Sequence, residues 1–240
     1  MKNYFYAVIS LLFLSFSITA QEKIAVWDYP VKPGTEQWKA FTTYQEKVDA
    51  CQIPEDVLSK LSTKELAEIC MDYPLAFDFL AIDNARLGMR LTITQFNGLT
   101  ELSKREEGTI ELIRIYRKYP VLEKLPEPSS ADYFAPLLLH YCELIISDSA
   151  FIDQLNNDQL MELGKVVKSK FDAKVKHQDV YSYHLTRHTF LLGAILLSKR
   201  EEGQLTARQR DVAKDYMESF VKSPWDDISI SDLSLIISSL

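Results

Sequence analysis

The sequence predicts an all-α fold, arranged as antiparallel helix pairs in a short α-solenoid-like or two-lobed array. Apolar residues recur with the 3.6-residue period of a helix, as in Leu66, Ile69, Cys70 and Tyr73. Only 7 of the 240 residues are glycine, whereas an all-β sandwich or barrel needs glycine in many of its tight turns. No segment shows the alternating pattern of a half-buried strand. These observations favour helices almost throughout the chain.

Capping residues and prolines predict where helices begin and end. A capping residue stands three positions before Glu or Gln in the segments Ser62–Glu65, Asn156–Gln159 and Thr206–Gln209. In such a capping box, each of the two side chains accepts a hydrogen bond from the other residue's backbone amide. Proline has no amide hydrogen and ends the helical hydrogen-bond pattern. Three prolines follow helical stripes in this way: Pro74, Pro120 and Pro224.

Composition and charge exclude several classes of protein. The chain is 47% hydrophobic and 25% charged, which is typical of a folded globular protein and excludes wholesale disorder or many membrane spans. The net charge of −7 argues against a protein that grips DNA or RNA phosphates, because such proteins need a concentrated basic surface. We therefore expect no nucleic-acid partner.

The first twenty residues have the order of a secretory signal peptide. Lys2 precedes an apolar run from Tyr4 to Ile18, and the small residue Ala20 suits the position before the cleavage site. We expect export to the periplasm or the extracellular space, with no membrane span after cleavage. The alternative is an uncleaved anchor, because about 17 apolar residues is the lower limit for a spanning helix.

A proline- and serine-rich segment divides the rest of the chain. It contains Pro126, Pro128, Ser129 and Ser130 between the helical stripes on either side. Four parts are predicted after the signal peptide: an extended lead-in at 21–34, a first helical unit at 35–119, a connection at 120–136, and a second helical unit at 137–240 packed on the first.

The two helical units share a repeated segment. Leu102–Gly108 recurs identically as Leu197–Gly203, an offset of 95 residues, and the capping boxes at Ser62 and Asn156 lie 94 residues apart. Gly98 also aligns with Gly193. Matches that keep register over this length indicate an internal duplication. The alternative is that Lys-Arg-Glu-Glu-Gly is a common solvated helix end with glycine as its cap.

The chain has three cysteines: Cys51, Cys70 and Cys142. In an exported protein, Cys51 and Cys70 could form a disulfide that closes a short loop and stabilises the fold by about 3 kcal/mol, leaving Cys142 unpaired. The alternative is that all three are small buried hydrophobic residues, because Cys70 and Cys142 each lie within an apolar helical stripe.

Two histidines form the clearest candidate for a metal site. His184 and His188 are four residues apart and share one face of a predicted helix, a spacing that can hold zinc. No Glu follows His184 directly, so the metalloprotease motif with its general base is absent. The alternative is that both imidazoles belong to the core contact of the helix and hydrogen-bond to neighbouring groups.

A run of five lysines and three aromatic residues are candidates for binding surfaces. The lysines, on one predicted helix, could meet an anionic polymer or lipid, or could simply be its solvated face; they are Lys165, Lys168, Lys170, Lys174 and Lys176. Trp27, Tyr29 and Trp225 flank prolines near the chain ends and could stack on a sugar or fill a partner's pocket, or could pack on the domain. The tail 228–240 predicts a short amphipathic helix that completes the core or binds a partner.

Several short segments in the first helical unit resemble a family of exported bacterial proteins of unknown function. The similarity covers roughly residues 36–119 and implies export and a helical architecture, but no activity or site residue. The segments are Cys51–Leu58, Ile69–Cys70, Asp72–Pro74, Phe96–Gly98 and Glu101–Leu102.

No known catalytic motif occurs in the sequence, whether a glycine-rich phosphate loop, a Gly-x-Ser-x-Gly elbow or a Cys-x-x-Cys pair. We therefore expect a binding or scaffold protein of the cell envelope, with a protein or glycan as partner and no cofactor. The alternative is an envelope hydrolase that uses scattered carboxylates or a metal held by His184 and His188.

Overall fold

The computed structural model describes residues 27–82, 84–199, 206–219, 234 and 237–240. All regular secondary structure in these residues is helical, which confirms the predicted all-α class. Two 3-10 helices span Asp78–Ala81 and Ala131–Phe134. The α-helices are α1 (Glu36–Ala40), α2 (Tyr44–Ala50), α3 (Glu55–Leu58), α4 (Thr63–Met71), α5 (Ala85–Gln95), α6 (Asn97–Leu102), α7 (Gly108–Lys118), α8 (Ala135–Ser147), α9 (Ser149–Ile152), α10 (Asn157–Lys176), α11 (Gln178–Ser198) and α12 (Ala207–Ser219).

Two of the predicted capping boxes are present. Ser62 caps α4 and Asn156 caps α10, each with the reciprocal hydrogen bonds of the motif. α12 begins at Ala207, directly after the third predicted cap. A further box, at Thr43 of α2, has the same Thr-x-x-Glu spacing and was missed in the sequence. Each such cap contributes about 1 kcal/mol to its helix.

The helices α8 and α11 form the centre of the molecule. α11 packs against α10, α8 and α12, while α8 also contacts α5 and α7. Every residue from Leu139 to Asp148 is buried, as expected of a helix that is hydrophobic nearly all round. Among the described residues, no helix combines the length and the hydrophobicity that a membrane span requires.

One hydrophobic core runs through both predicted helical units. The Tyr141 hydroxyl of α8 donates a hydrogen bond to the Cys70 carbonyl of α4 at 3.3 Å. α8 begins at Ala135, slightly inside the predicted connection, because Pro136 lies in its first turn, where proline needs no helical hydrogen bond.

The segments related by the predicted duplication differ locally. Residues 85–102 form α5 and α6, interrupted at Phe96, whereas their counterparts 180–197 lie within the continuous helix α11. The second copy of the Lys-Arg-Glu-Glu-Gly motif, at 199–203, falls mostly outside the described residues. The duplication and the solenoid arrangement therefore stay predictions.

The described end of the tail is packed on α11. Ile237 is fully buried, and its Cδ1 atom lies where a Cβ at Gly193 would stand, only 2.2 Å from that position. The last residues thus complete the core at this point, which was one of the two outcomes expected for the tail.

Candidate functional site

The predicted metal residue His188 is buried against another histidine, His140. Their ring centroids are 3.6 Å apart, whereas two imidazoles bound to one zinc ion have centroids about 5 Å apart. The His140–His188 stack is therefore not a zinc-binding arrangement. Among the described residues, no group of three or more His, Cys, Asp or Glu could hold a metal. The side chain of His184 lies outside the described part, so the His184/His188 site stays a prediction.

The predicted Cys51–Cys70 disulfide is not formed in the structure. Cys51, Cys70 and Cys142 are all free and buried. Burial raises the pKa of Cys51 to about 11 and that of Cys70 well above its usual value. Cys51 and Cys70 lie in the core near Tyr29, and Cys142 lies in the core against the Leu112 carbonyl, as the alternative interpretation of small buried hydrophobic residues requires.

We expect none of the three thiols to react with a thiol-specific reagent such as DTNB in the native protein, because the thiolate is the reactive form and burial disfavours it. In urea without reductant, all three should react. If only one thiol reacts in urea, the other two cysteines are joined in a disulfide, and the exported chain forms that bond after all.

The aromatic residues predicted for a binding surface occupy different environments. Tyr29 is only 4% exposed and its hydroxyl donates to the Ile69 carbonyl at 3.1 Å, so it is a core residue. Trp27 is half-buried and packs edge-on against Tyr29, with ring centroids 4.7 Å apart. Trp225 lies outside the described residues. The lead-in thus packs on the domain here, which corrects the assignment of Tyr29.

The lysine run does not form one basic face. Lys170 and Lys174 are buried, while Lys165 and Lys168 form ion pairs with acidic residues on their own helix. Lys170 donates to the Tyr119 carbonyl, and Lys174 turns inward, where α10 packs along α11, and meets a buried carboxylate.

That carboxylate belongs to Glu143, the centre of a buried polar cluster. Lys174 Nζ donates to both oxygens of Glu143 at 3.0 Å, and both side chains are 0% exposed. The hydroxyls of Tyr116 and Thr189 donate to Glu143 Oε1 at 3.0 and 2.8 Å. Burial lowers the pKa of Lys174, and the Glu143 carboxylate opposes this shift. The cluster is closed to solvent and thus structural.

His140 lies one helical turn before Glu143 on α8. Both of its ring nitrogens are buried without a hydrogen-bond partner. Burial lowers the pKa of His140 well below its usual value, and the neighbouring His188 and Lys174 lower it further. The ring of Phe79 also lies against His140, with 5.3 Å between the two ring centroids.

Phe79 also lines a surface cleft of about 420 Å³ between α2, the 3-10 helix 78–81 and α5. A Cβ at Gly88 would stand 2.6 Å from the Phe79 carbonyl oxygen, so glycine permits α5 to approach the 3-10 helix this closely. The full lining is Tyr44, Asp78, Phe79, Ala81, Ile82, Gly88, Leu91, Thr92 and Gln95.

Large apolar side chains are exposed on the elements that form this cleft, and two of them, Tyr44 and Leu91, line it. Tyr44, Leu80, Leu87 and Leu91 are each between 38% and 52% exposed. Leu87 lies one turn before Leu91 on α5, and Leu80 belongs to the 3-10 helix. Clustered exposed apolar residues are typical of an interaction site, whereas isolated ones are not.

One carboxylate lies in the cleft. Neighbouring groups displace water from Asp78 and raise its pKa, an effect that the nearby Lys47 opposes. No hydrogen bond from the described residues reaches the Asp78 carboxylate, and the backbone amide of Asp78 donates to the Leu75 carbonyl. The cleft thus combines apolar walls with a single acceptor.

A second groove, of about 480 Å³, lies between α7 and the start of α10. Its charges are mostly satisfied within the protein: Arg114 pairs with Glu111 and Glu68. The positive charge of Arg117 helps to lower the pKa of Glu162. Four charged residues line this groove, whereas one, Asp78, lines the cleft at Phe79.

Comparison with protein families, characterised proteins and solved structures found no match for this chain. Neither the cleft nor the buried cluster is predicted from the sequence. Glu143 could have been noticed, because it is the one acidic residue within the apolar segment Leu137–Ile146, and a buried carboxylate needs a charged partner. Asp78 and Tyr44 carry no such signal.

Proposed function

We propose that this chain is an exported binding or scaffold protein of the cell envelope, and that it binds a protein partner at the cleft lined by Phe79. The observation that carries this proposal is that the exposed Tyr44 and Leu91 line one concave site, whose 3-10 helix and α5 also carry the exposed Leu80 and Leu87. The signal-like order of the first twenty residues supports export.

The size and chemistry of the cleft suit a protein side chain. A volume of about 420 Å³ accepts one or two bulky apolar groups, and the surrounding leucines would bury further apolar area on binding. Asp78 adds a hydrogen-bond acceptor that gives direction to an otherwise apolar contact.

The alternative function, an envelope hydrolase, has less support. General acid–base catalysis by carboxylates needs two of them at one accessible site. Asp78 is the single acidic residue in the lining of the cleft, while Glu143 is fully buried and engaged with Lys174. A metal-dependent version depends on His184 and His188 and is tested by zinc analysis of the purified protein.

The replacement Leu91→Asp tests the binding role. It places a charge in the wall of the cleft, so retention of the partner from the envelope fraction of the source cells should fall at least tenfold. The matched control is Met161→Asp, since Met161 is also an exposed apolar residue of a helix, but on α10. Equal retention by both variants would refute the role of the cleft.

The proposed export is checked separately, by N-terminal sequencing of the exported protein, which should begin at Gln21.

A further inference from the structure

We propose that the partner presents an arginine side chain to the cleft lined by Phe79, with the guanidinium group at the Asp78 carboxylate and the apolar stem along the cleft wall. This inference rests on the proposed function, because it names the chemistry that the partner brings to the same site. It is argued from the charge, the walls and the aromatic ring of the cleft.

The Asp78 carboxylate is a charged acceptor that the described part of the protein leaves free. None of the described residues donates a hydrogen bond to it or forms an ion pair with it. The positive charge of Lys47 acts on Asp78 from a distance, but the Lys47 ammonium lies over the Trp38 ring, 5.8 Å from its centroid. Neighbouring groups displace water from Asp78. A donor from a partner would therefore replace hydration that the carboxylate has partly lost.

The walls around Asp78 are mostly apolar, and Asp78 is the single charged residue of the lining. An anionic group would be repelled here. A purely apolar side chain that closed the cleft would remove water from Asp78 and give it no partner, which is costly. A cation on an apolar stem satisfies both parts of the site, because the methylene groups of arginine and lysine pack along apolar surface while the charged end finds an acceptor.

The Tyr44 ring favours arginine over lysine. Tyr44 lines the cleft and is 51% exposed. Burial raises the pKa of Tyr44, and the negative charge of Asp78 raises it further, so ring and carboxylate belong to the same part of the cleft. A guanidinium group is flat: it stacks on an aromatic ring and donates two parallel hydrogen bonds to a carboxylate. It is also less strongly hydrated than an ammonium group, so it loses less on entering the cleft.

An NMR titration of the full chain with three small probes tests this inference without any partner. N-butylguanidinium carries the charged group of arginine, N-butylurea is its neutral counterpart of the same shape, and N-butylammonium carries the charged group of lysine. The shifts should centre on the amides of Tyr44, Asp78 and Leu91. N-butylguanidinium should bind about fivefold more tightly than N-butylurea, the upper part of the range for an ion pair that solvent reaches, and more tightly than N-butylammonium.

Asp78→Asn removes the charge and keeps the size of the side chain, so the preference for N-butylguanidinium over N-butylurea should disappear. The matched control is Asp132→Asn, since Asp132 is also an exposed aspartate in the first turn of a 3-10 helix, but of the helix 131–134. That variant should keep the preference.

Four results would overturn the inference. They are equal affinity of the wild-type protein for N-butylguanidinium and N-butylurea, shifts that centre away from the cleft, N-butylammonium binding as tightly as N-butylguanidinium, and a preference that survives in Asp78→Asn. The first three need only the wild-type protein, so they decide even if the variant does not fold.

Retention of the partner from the envelope fraction separates this inference from the proposed function. Asp78→Asn should lower retention about fivefold. Leu91→Asn makes the wall polar without adding a second acid, and it should lower retention as well. No effect of Leu91→Asn would refute binding at the cleft. An effect of Leu91→Asn without an effect of Asp78→Asn would leave the proposed function standing and refute the arginine.

Discussion

Lys174→Met is expected to lower the free energy of unfolding by about 3–5 kcal/mol, the cost typical of removing one partner of a buried ion pair. The replacement leaves the Glu143 carboxylate in a site that is 0% exposed, with only the Tyr116 and Thr189 hydroxyls to stabilise it. Methionine fills nearly the same volume, so the lost charge dominates the effect. Urea unfolding at pH 7.5 measures it.

The double variant Lys174→Met/Glu143→Gln separates the charge effect from packing. It contains no unpaired buried charge, so it should be more stable than Lys174→Met alone. Lys165→Met is the surface control, because Lys165 pairs with Glu162 in solvent, and no resolvable change is expected. A double variant as unstable as the sum of both single variants would show that the pair acts through packing instead.

The local signals in the sequence were sufficient for the fold class and for many helix boundaries. Ser62 and Asn156 start their helices through contacts with residues three positions away, so the sequence contains the whole interaction. The burial of Lys174 depends on Glu143, which lies 31 residues away in the sequence and on another helix. A lysine in a polar run predicts solvent exposure, and the packing of α10 on α11 overrides that preference.

The cleft could not have been predicted for the same reason. Leu91 and Tyr44 are ordinary apolar residues of amphipathic segments, and most such residues are buried in a core. In this fold, both stay partly exposed in the wall of the cleft. The stack of His140 on His188 joins residues 48 positions apart, a separation that no local spacing rule covers.

Gly108→Ala is the second replacement with a large expected effect, a loss of about 3 kcal/mol, the upper part of the range for overpacking. Helix propensity alone predicts the opposite sign, a gain of up to about 1 kcal/mol for alanine in a helix. The added Cβ would stand 2.1 Å from the backbone oxygen of Leu102. Because a backbone atom cannot move aside as a side chain can, the steric effect should win.

The matched control is Gly34→Ala. A Cβ at Gly34 would meet nothing within 4 Å, but φ there is +91°. Only the left-handed backbone therefore opposes alanine, and the expected loss of stability is about 1 kcal/mol. Urea unfolding of both variants separates steric from conformational cost, and a stabilised Gly108→Ala would show that the Leu102–Gly108 turn yields easily.

The same experiment on Gly203→Ala tests the duplication. If Leu197–Gly203 repeats the turn of Leu102–Gly108, its glycine is required for the same steric reason and a similar loss follows. If the shared segment is only a common solvated helix end, no similar loss follows, because such an end contains no close backbone contact that excludes a Cβ.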